Sequence, residues 1–353
     1  MKKYFLIMLV LSLMVCVGAG SVFAGSEGKE EAEGDTVLAT VIRTIDNPYH
    51  VRWNEGGEAY TASVGMTHEL VTCGGSSEKQ INDIKALVAR TGGNVVFNID
   101  PNESPDCVPI AKALEDAGVY FMTWWNKPPE LNVTDYPHWV GHAAFSGIDA
   151  GYYGATELFK TFDTPNQGKI VAIQGMLANQ IAIDLFNGLK KALAENPGVE
   201  MVAEQSAHWN RTEAFDIVSS MLVAHPDIDG VWCANDHMAM GVIEALRAAG
   251  KAGKIKVCGF NGNPEFIDAI IKGEAAGTTL TDSYFQGGIG LSLCLAAKQG
   301  KLDVEALPEG KRNWYAEPTY VNGDNAKQIK AEYFDNPPDY DWNDWWGKWA
   351  GGM

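Results

Sequence analysis

The sequence predicts two α/β lobes, each built on a doubly wound parallel sheet, with a cleft between them. From residue 36 onward, short runs rich in β-branched and aromatic residues alternate with amphipathic helical patterns, which is typical of a parallel sheet with crossover helices. The alternation restarts near residue 169, so the chain contains two such units. With 353 residues, it is long enough for two compact domains.

The predicted elements follow one another in the same order in both units. In the first unit the strands lie at residues 37–44, 68–73, 94–99 and 119–124, and the helices at 48–64, 78–91 and 104–117. In the second unit the strands lie at 169–174, 199–205, 230–234 and 256–260, and the helices at 181–195, 211–224, 237–249 and 265–272. Ligands of open parallel sheets bind at the carboxyl ends of the strands, so we expect the functional site between the lobes.

The first residues are typical of an export signal. Lys2 and Lys3 precede an apolar run at 4–17, and small residues lead to Ala24, which predicts a secretory signal peptide over 1–24. An acidic leader at 25–35 follows. The alternative is a lipoprotein that is acylated at Cys16.

The last residues, 331–353, are rich in Pro, Asp and Trp. They contain Trp342, Trp345, Trp346 and Trp349. We expect this tail to pack across the lobes, because exposing four indoles to water is unfavourable.

Charge and cysteine usage restrict the functional classes. The formal net charge of −18 argues against nucleic acid or anionic lipid as a partner, since both require basic patches. Five cysteines follow the predicted signal, an odd number, and Cys73 with Cys107 is the candidate disulfide. Their spacings suit neither a zinc site nor a redox motif.

Other constellations predict structure rather than chemistry. His138 and His142 have a spacing that suits a metal site on a helix, but Pro137 and Gly141 predict a loop there. The glycine-rich stretch at 287–290 lacks the residues of a phosphate loop, so we interpret it as close helix packing. The sequence contains no hydrolase elbow and no zinc-protease motif, and the prediction is a protein without a cofactor, a metal or a catalytic site.

Three segments carry a resemblance to a known family. Residues 231–241 read VWCANDHMAMG, residues 257–262 read VCGFNG and residues 45–50 read IDNPYH. They resemble periplasmic sugar-binding proteins of the ribose-binding type, whose fold is shared with the effector domains of lac-repressor-type regulators. No helix-turn-helix precedes the first predicted strand, so the regulator interpretation fails.

The resemblance implies a type I periplasmic binding fold, with lobes joined by a hinge of several crossings. It places an N-terminal lobe at 36–145 plus 282–307 and a C-terminal lobe at 146–281 plus 308–330. It also implies a monomer in the periplasm that binds a sugar or polyol for the permease of an ABC transporter. A sensory receptor of the same fold is the alternative, and an extracytoplasmic enzyme is disfavoured because the cleft offers no activated nucleophile.

The predicted ligand-binding residues combine flat apolar faces with planar amides and carboxylates, as sugar recognition requires. They are Arg43, Asn47, Tyr49, His50, Asp100, Trp124, Trp125 and Asn126 in the first lobe, Trp209, Asn235, Asp236 and Asn261 in the second, and Thr281 at a hinge crossing. By resemblance, Tyr49 and His50 stack on one face of the ligand and Trp209 on the other.

Several of these residues also have a structural interpretation. Trp124 and Trp125 are consecutive on a strand, so one of them should face the core. Asp236 could act chiefly as a helix N-cap.

Departures from the ribose-type pattern bear on the ligand. Trp124-Trp125 stands where that pattern has Asp-Arg, Leu185 stands where it has Arg, and Asn261 stands where it commonly has Asp. Arg43 stands at a position that is usually small and polar, and it could pair with Asp100 or grip a ligand carboxylate. A larger sugar, a cyclic polyol or a sugar acid therefore fits better than ribose, and an aromatic metabolite is a further alternative.

We favour a neutral ligand. The acids expected near the cleft, Asp46, Asp100 and Asp236, outnumber its single arginine, and a carboxylate would meet net repulsion there.

Overall fold

A computed structural model describes residues 36–353. The predicted signal peptide, the acidic leader and the candidate lipid attachment at Cys16 lie outside these residues. Within 36–353, no helix is both long enough and apolar enough to span a bilayer.

The chain begins with alternating strands and helices, as predicted. In order these are β1 (Val37–Ile42), α1 (Pro48–Ser63), β2 (Thr67–Thr72), α2 (Ser77–Thr91), β3 (Val95–Ile99), α3 (Cys107–Asp116), β4 (Phe121–Trp124) and β5 (Trp139–Ala144). The second run is α4 (Gly147–Phe159), β6 (Gly168–Gln174), α5 (Gln180–Glu195), β7 (Val199–Ser206), α6 (Arg211–Ala224), β8 (Gly230–Cys233), α7 (Asp236–Ala248), β9 (Lys256–Cys258), α8 (Pro264–Ile271) and β10 (Ala275–Leu280).

The chain then returns to the first lobe and crosses again. These elements are α9 (Ser283–Lys298), α10 (Glu309–Arg312), β11 (Asn313–Ala316), β12 (Thr319–Asn322), α11 (Ala326–Lys330) and β13 (Trp349–Gly352). The first sheet has the strand order β13-β11-β5-β4-β3-β1-β2, and the second has β12-β10-β9-β8-β6-β7. Strands β1–β5 pair in parallel, as do β6–β10. The predicted fold class is confirmed.

One lobe assignment differs from the prediction. Residues 308–330 were expected in the C-terminal lobe, yet β11 pairs in parallel with β5 of the first sheet. Only the strand after it, β12, joins the second sheet, antiparallel to β10. The reason is that the chain crosses between the lobes once more, at the two residues between β11 and β12.

Strand β5 was not predicted, because Gly141 and Pro137 suggested a loop. A Cβ at Gly141 would lie 2.5 Å from the ring of Trp314, so this glycine admits an indole from the neighbouring strand. His142 is buried on β5 with Nδ1 2.8 Å from Thr123 Oγ1, while His138 faces Glu115. Burial lowers the pKa of His142 well below its usual value. The two histidines therefore have separate partners and share no site.

The glycines at 287–290 lie where α9 packs against its neighbours. A Cβ at Gly287 would lie 1.9 Å from the carbonyl oxygen of Trp53 in α1, and one at Gly290 would lie 2.3 Å from Asn98 Oδ1. Any larger residue would force the two helices apart. This agrees with the interpretation of the stretch as close helix packing.

The candidate disulfide is not formed. Cys73 and Cys107 are both free and buried. Cys73 Sγ lies near the backbone oxygen of Arg43 and Asn102 Oδ1. Burial raises the pKa of Cys107 to about 12, and the charge of Lys127 and a hydrogen bond with Thr123 oppose that shift. The two thiols face different neighbours.

Candidate functional site

A cavity of about 220 Å³ lies between the carboxyl ends of the two sheets. This volume is below the roughly 300–1,000 Å³ that pockets for drug-sized ligands occupy. Ten of the predicted residues line it: Arg43, Asn47, Tyr49, His50, Asp100, Trp125, Asn126, Trp209, Asn235 and Asn261. The cavity therefore suits a ligand about the size of one sugar ring.

Three predicted residues lie elsewhere. Trp124 is fully buried on the opposite face of β4, where its Nε1–H donates to Asn98 Oδ1 at 2.9 Å. Strand β4 ends at Trp124, and the positive φ of Trp125, 64°, turns the next side chain to the cavity. Thr281 is buried in the crossing after β10, and its hydroxyl lies 3.5 Å from the backbone oxygen of Asn261.

Asp236 lies beneath the cavity floor and has a structural role. Its Oδ1 accepts from the Thr278 hydroxyl at 2.8 Å, and its Oδ2 accepts from the Asn263 backbone N–H at 2.6 Å. Burial raises the pKa of Asp236 to about 7. It therefore holds β10 and the start of α8 in place, and the N-cap of α7 is its neighbour Asn235.

Aromatic side chains form the apolar walls. Trp125 stacks on Phe145 with ring centroids 5.4 Å apart and meets the edge of Phe260, from the other lobe, at 5.7 Å. The Trp125 Nε1–H donates to the Tyr49 hydroxyl at 2.7 Å, which in turn donates to Gln286 Oε1 at 2.6 Å. These bonds leave the Tyr49 ring, rather than its hydroxyl, for a ligand.

Trp209 is held in the cavity by a strained turn. Both His208 and Trp209 have left-handed backbones, with φ of 48° and 64°. A Cβ at Gly175 would lie 2.1 Å from two carbons of the Trp209 indole, so this ring rests directly on the glycine. Trp125 and Asn261 also have positive φ, 64° and 110°. Such conformations cost about 1–3 kcal/mol each and cluster at functional sites.

Three asparagines that cap helices present hydrogen-bond donors. The Oδ1 atoms of Asn47, Asn210 and Asn235 accept from backbone N–H groups in the first turns of α1, α6 and α7. Because each carbonyl faces its helix, each side-chain NH₂ group points away from it. All three residues line the cavity, so these NH₂ groups are available there as hydrogen-bond donors.

A second set of side chains presents unpartnered acceptors. Asn126 donates to Asp100 Oδ1 at 3.2 Å and to the Pro101 oxygen at 2.8 Å, which leaves its Oδ1 without a partner. Asn179 Oδ1 and His50 Nδ1 are likewise buried without a partner among residues 36–353. When His50 donates its Nε2–H to Asp100 Oδ2, 3.2 Å away, its Nδ1 is an acceptor.

Arg43 does not form the expected pair with Asp100, whose oxygens accept from His50 and Asn126 instead. Its guanidinium contacts the Met176 sulfur of the other lobe. Burial lowers the pKa of Arg43, and the charges of Cys73 and Asp100 oppose that shift. Within the described part of the chain, Arg43 has no carboxylate partner.

Several lining residues were not predicted from the sequence, and half of them lie at helix starts. They include Thr44, Asn102, Asn179, Ile181, His208, Asn210, His237 and Phe260. Leu185, expected at the ligand, packs against the backbone of α4 instead, and Ile181 lines the cavity one helical turn earlier. Asn179 and Asn210 each stand directly before an amphipathic segment, and this position in the sequence could have predicted them as cavity residues.

Comparisons with known proteins place the chain among binding proteins. A family model described as a periplasmic binding protein domain matches residues 38–302. The D-allose-binding periplasmic protein of Escherichia coli (strain K12) is 28% identical over 282 residues, which is 77% of this chain and 88% of the relative.

Solved structures share the architecture. The crystal structure of a twin-arginine translocation pathway signal protein from Burkholderia phytofirmans is 40% identical with a TM-score of 0.88, over 91% of this chain and 99% of that one. The Caulobacter myo-inositol binding protein shares the fold at 24% identity, with a TM-score of 0.70 over 83% of this chain and 95% of that one.

Proposed function

The chain belongs to the periplasmic binding protein family, and from this premise we propose that it captures a sugar or polyol and delivers it to the permease of an ABC importer. Its named relatives bind D-allose, ribose and D-apiose, and the last two are import binding proteins. Like them, the protein is a binding protein and not an enzyme. We place it in the periplasm as a monomer, after removal of residues 1–24.

The observation that carries this proposal is the mixture of donors and acceptors around a small cavity. The capping amides of Asn47, Asn210 and Asn235 have NH₂ groups that can donate, and the lining residues Asn126, Asn179 and His50 each carry a buried acceptor atom without a partner. A hydroxyl group satisfies both sets, because it donates one hydrogen and accepts through its lone pairs. A carboxylate only accepts and an ammonium only donates, so a polyhydroxylated ligand fits best.

The aromatic walls support the same class of ligand. Trp125 and Trp209 present flat apolar surfaces, and the C–H faces of a sugar or cyclitol ring are apolar as well. A ring held between these walls would direct its hydroxyls outward to the amides and to Asp100.

A sugar acid is the second candidate, because Arg43 has no carboxylate partner in the cavity. Asp236 lies outside the cavity lining, but Asp46 and Asp100 line it and still outnumber Arg43. The unpartnered acceptors beside Asp100 also favour the neutral ligand, because a carboxylate would leave them unsatisfied.

The test is a thermal-shift screen of the mature protein against neutral sugars, cyclitols, sugar acids and amino acids, followed by titration calorimetry. A ligand that binds only the folded protein raises its apparent stability by mass action. We expect a neutral monosaccharide or cyclitol to give the largest shift. An amino acid as the preferred ligand, with no sugar or polyol bound, would refute the proposal.

A further inference from the structure

The chain crosses between the lobes three times, after β5, after β10 and after β11. Its last residues form a further connection between the lobes. After β12 in the second sheet, the chain passes through α11 and one π-helical turn at Ala331–Asp335, and it ends as β13, antiparallel to β11 in the first sheet. Lys330 pairs with Asp268 of α8 in the second lobe. Residues 331–353 thus run from an anchor in the second lobe, directly before them, to a strand of the first sheet.

This segment contacts Asp282, which lies in the crossing between β10 and α9. Asp282 has a left-handed backbone, with φ of 44°, and its side chain is only 7% exposed. Its Oδ2 accepts from the Tyr340 hydroxyl at 2.6 Å and from the Lys348 ammonium. A buried carboxylate that lost these donors would be left uncompensated, which is strongly unfavourable.

Lys348 is itself fixed by its surroundings. Its ammonium lies 5.1 Å from the Phe285 ring centroid and 5.4 Å from that of Tyr333. Its backbone oxygen accepts from the N–H of Glu317 at 2.8 Å, in the crossing between β11 and β12. One residue of the C-terminal segment therefore joins two crossings.

Two hydrogen-bond paths lead from this contact to the cavity. Thr281, next to Asp282, accepts through its backbone oxygen from the Gln286 side chain, which also accepts from the Tyr49 hydroxyl. The Thr281 N–H donates to the backbone oxygen of Asn261 at 3.2 Å. Tyr49 and Asn261 both line the cavity. A shift of the crossing would therefore displace two cavity walls.

We propose that residues 331–353 act as a hinge strap, in which Lys348 and Tyr340 position the β10–α9 crossing and restrain the opening of the lobes. The inference rests on the proposed function, since it concerns a cleft that closes on its ligand. A looser hinge lowers the fraction of the protein in the binding-competent closed form, and the apparent dissociation constant rises by the same factor.

The experiment compares Lys348→Met, Tyr340→Phe and the conservative Lys348→Arg with wild type. Lys311→Met is the matched control, because the Lys311 ammonium packs on Trp346 and Trp349 in the same strap without touching a crossing. Small-angle scattering of the ligand-free proteins measures their opening. Stopped-flow binding of the sugar or polyol found in the screen measures the rate constants.

We expect Lys348→Met to enlarge the ligand-free radius of gyration and to weaken binding about tenfold, mostly through faster dissociation. Tyr340→Phe should give a smaller change in the same direction, Lys348→Arg should restore most of the affinity, and Lys311→Met should match wild type. Circular dichroism checks that each variant is folded. If Lys348→Met does not fold, Tyr340→Phe becomes the test, because it keeps the ring and the charge pair between Lys348 and Asp282.

Unchanged scattering and rate constants in a folded Lys348→Met or Tyr340→Phe protein would overturn the strap, even where wild type binds its ligand. Failure of wild type to bind any sugar or polyol would count against the proposed function instead. The scattering comparison of ligand-free proteins still decides the strap in that case.

Discussion

Replacing Trp209 by alanine should weaken ligand binding by about eight- to thirtyfold. An aromatic side chain buries about 150–250 Å² in all, and one face of the indole, about a third of this, is available because the other rests on Gly175. At ~25 cal/mol per Å² that face contributes about 1.2–2 kcal/mol, which corresponds to the stated loss of affinity.

Titration calorimetry with the ligand from the screen measures the effect. Trp209→Phe is the matched control, because it keeps a flat apolar face and should recover most of the affinity. Gly175→Ala should act like Trp209→Ala without removing the indole, since its methyl group would occupy the position of the ring. A dissociation constant that is the same for Trp209→Ala and wild type would remove Trp209 from the ligand site and refute this reasoning.

Three further predictions follow from the cleft. Ligand binding should reduce the radius of gyration seen by small-angle scattering, because closure brings the lobes together; superimposable curves with and without ligand would indicate a rigid scaffold. Arg43→Met should weaken binding of a neutral ligand about ten- to hundredfold, the worth of a hydrogen bond from a charged donor, and tighter binding of a sugar acid than of its neutral counterpart would contradict the neutral assignment. Burial lowers the pKa of His237 from 6.5 to about 4, so the unfolded chain binds a proton there that the folded protein does not, and stability is lost as pH falls from about 6.5 to about 4. His237→Gln should show a smaller drop in urea midpoint between pH 7 and 4.5, and an equal drop in both proteins would argue against a neutral, half-buried His237.

The sequence predicts most of the strand ends, but it does not predict which side chains of each strand or helix face the cavity. Residues two or three positions after a strand, such as Asn126 and Asn261, reach the cavity because carboxyl ends of parallel strands share one edge. The choice between Trp124 and Trp125 depends on the end of β4 at Trp124 and on the left-handed backbone of Trp125, which periodicity does not predict. Leu185 and Ile181 differ by one helical turn, and only the packing of α5 on the glycines of α4 decides which of them meets the cavity.

Contacts between distant parts of the chain were beyond sequence reasoning. Arg43 has no carboxylate partner because Asp100 accepts hydrogen bonds from His50 and Asn126 instead. Asp100, His50 and Asn126 come from three separate segments of the chain. The placement of β11 beside β5 likewise follows from a crossing of two residues that carries no local signal. Local patterns predict elements and their ends, whereas these pairings arise when the lobes assemble.

Several groups around the cavity carry energetic costs that a bound ligand would offset. Buried acceptors without partners on Asn126, Asn179 and His50 each carry a desolvation cost of about 1–3 kcal/mol, and the left-handed backbones of Trp125 and Trp209 add strain. Such costs persist only where the surrounding structure enforces them or a ligand compensates them. If water satisfies these groups when the lobes open, a ligand whose hydroxyls satisfy them stabilises the closed form selectively. We therefore expect recognition to be coupled to closure.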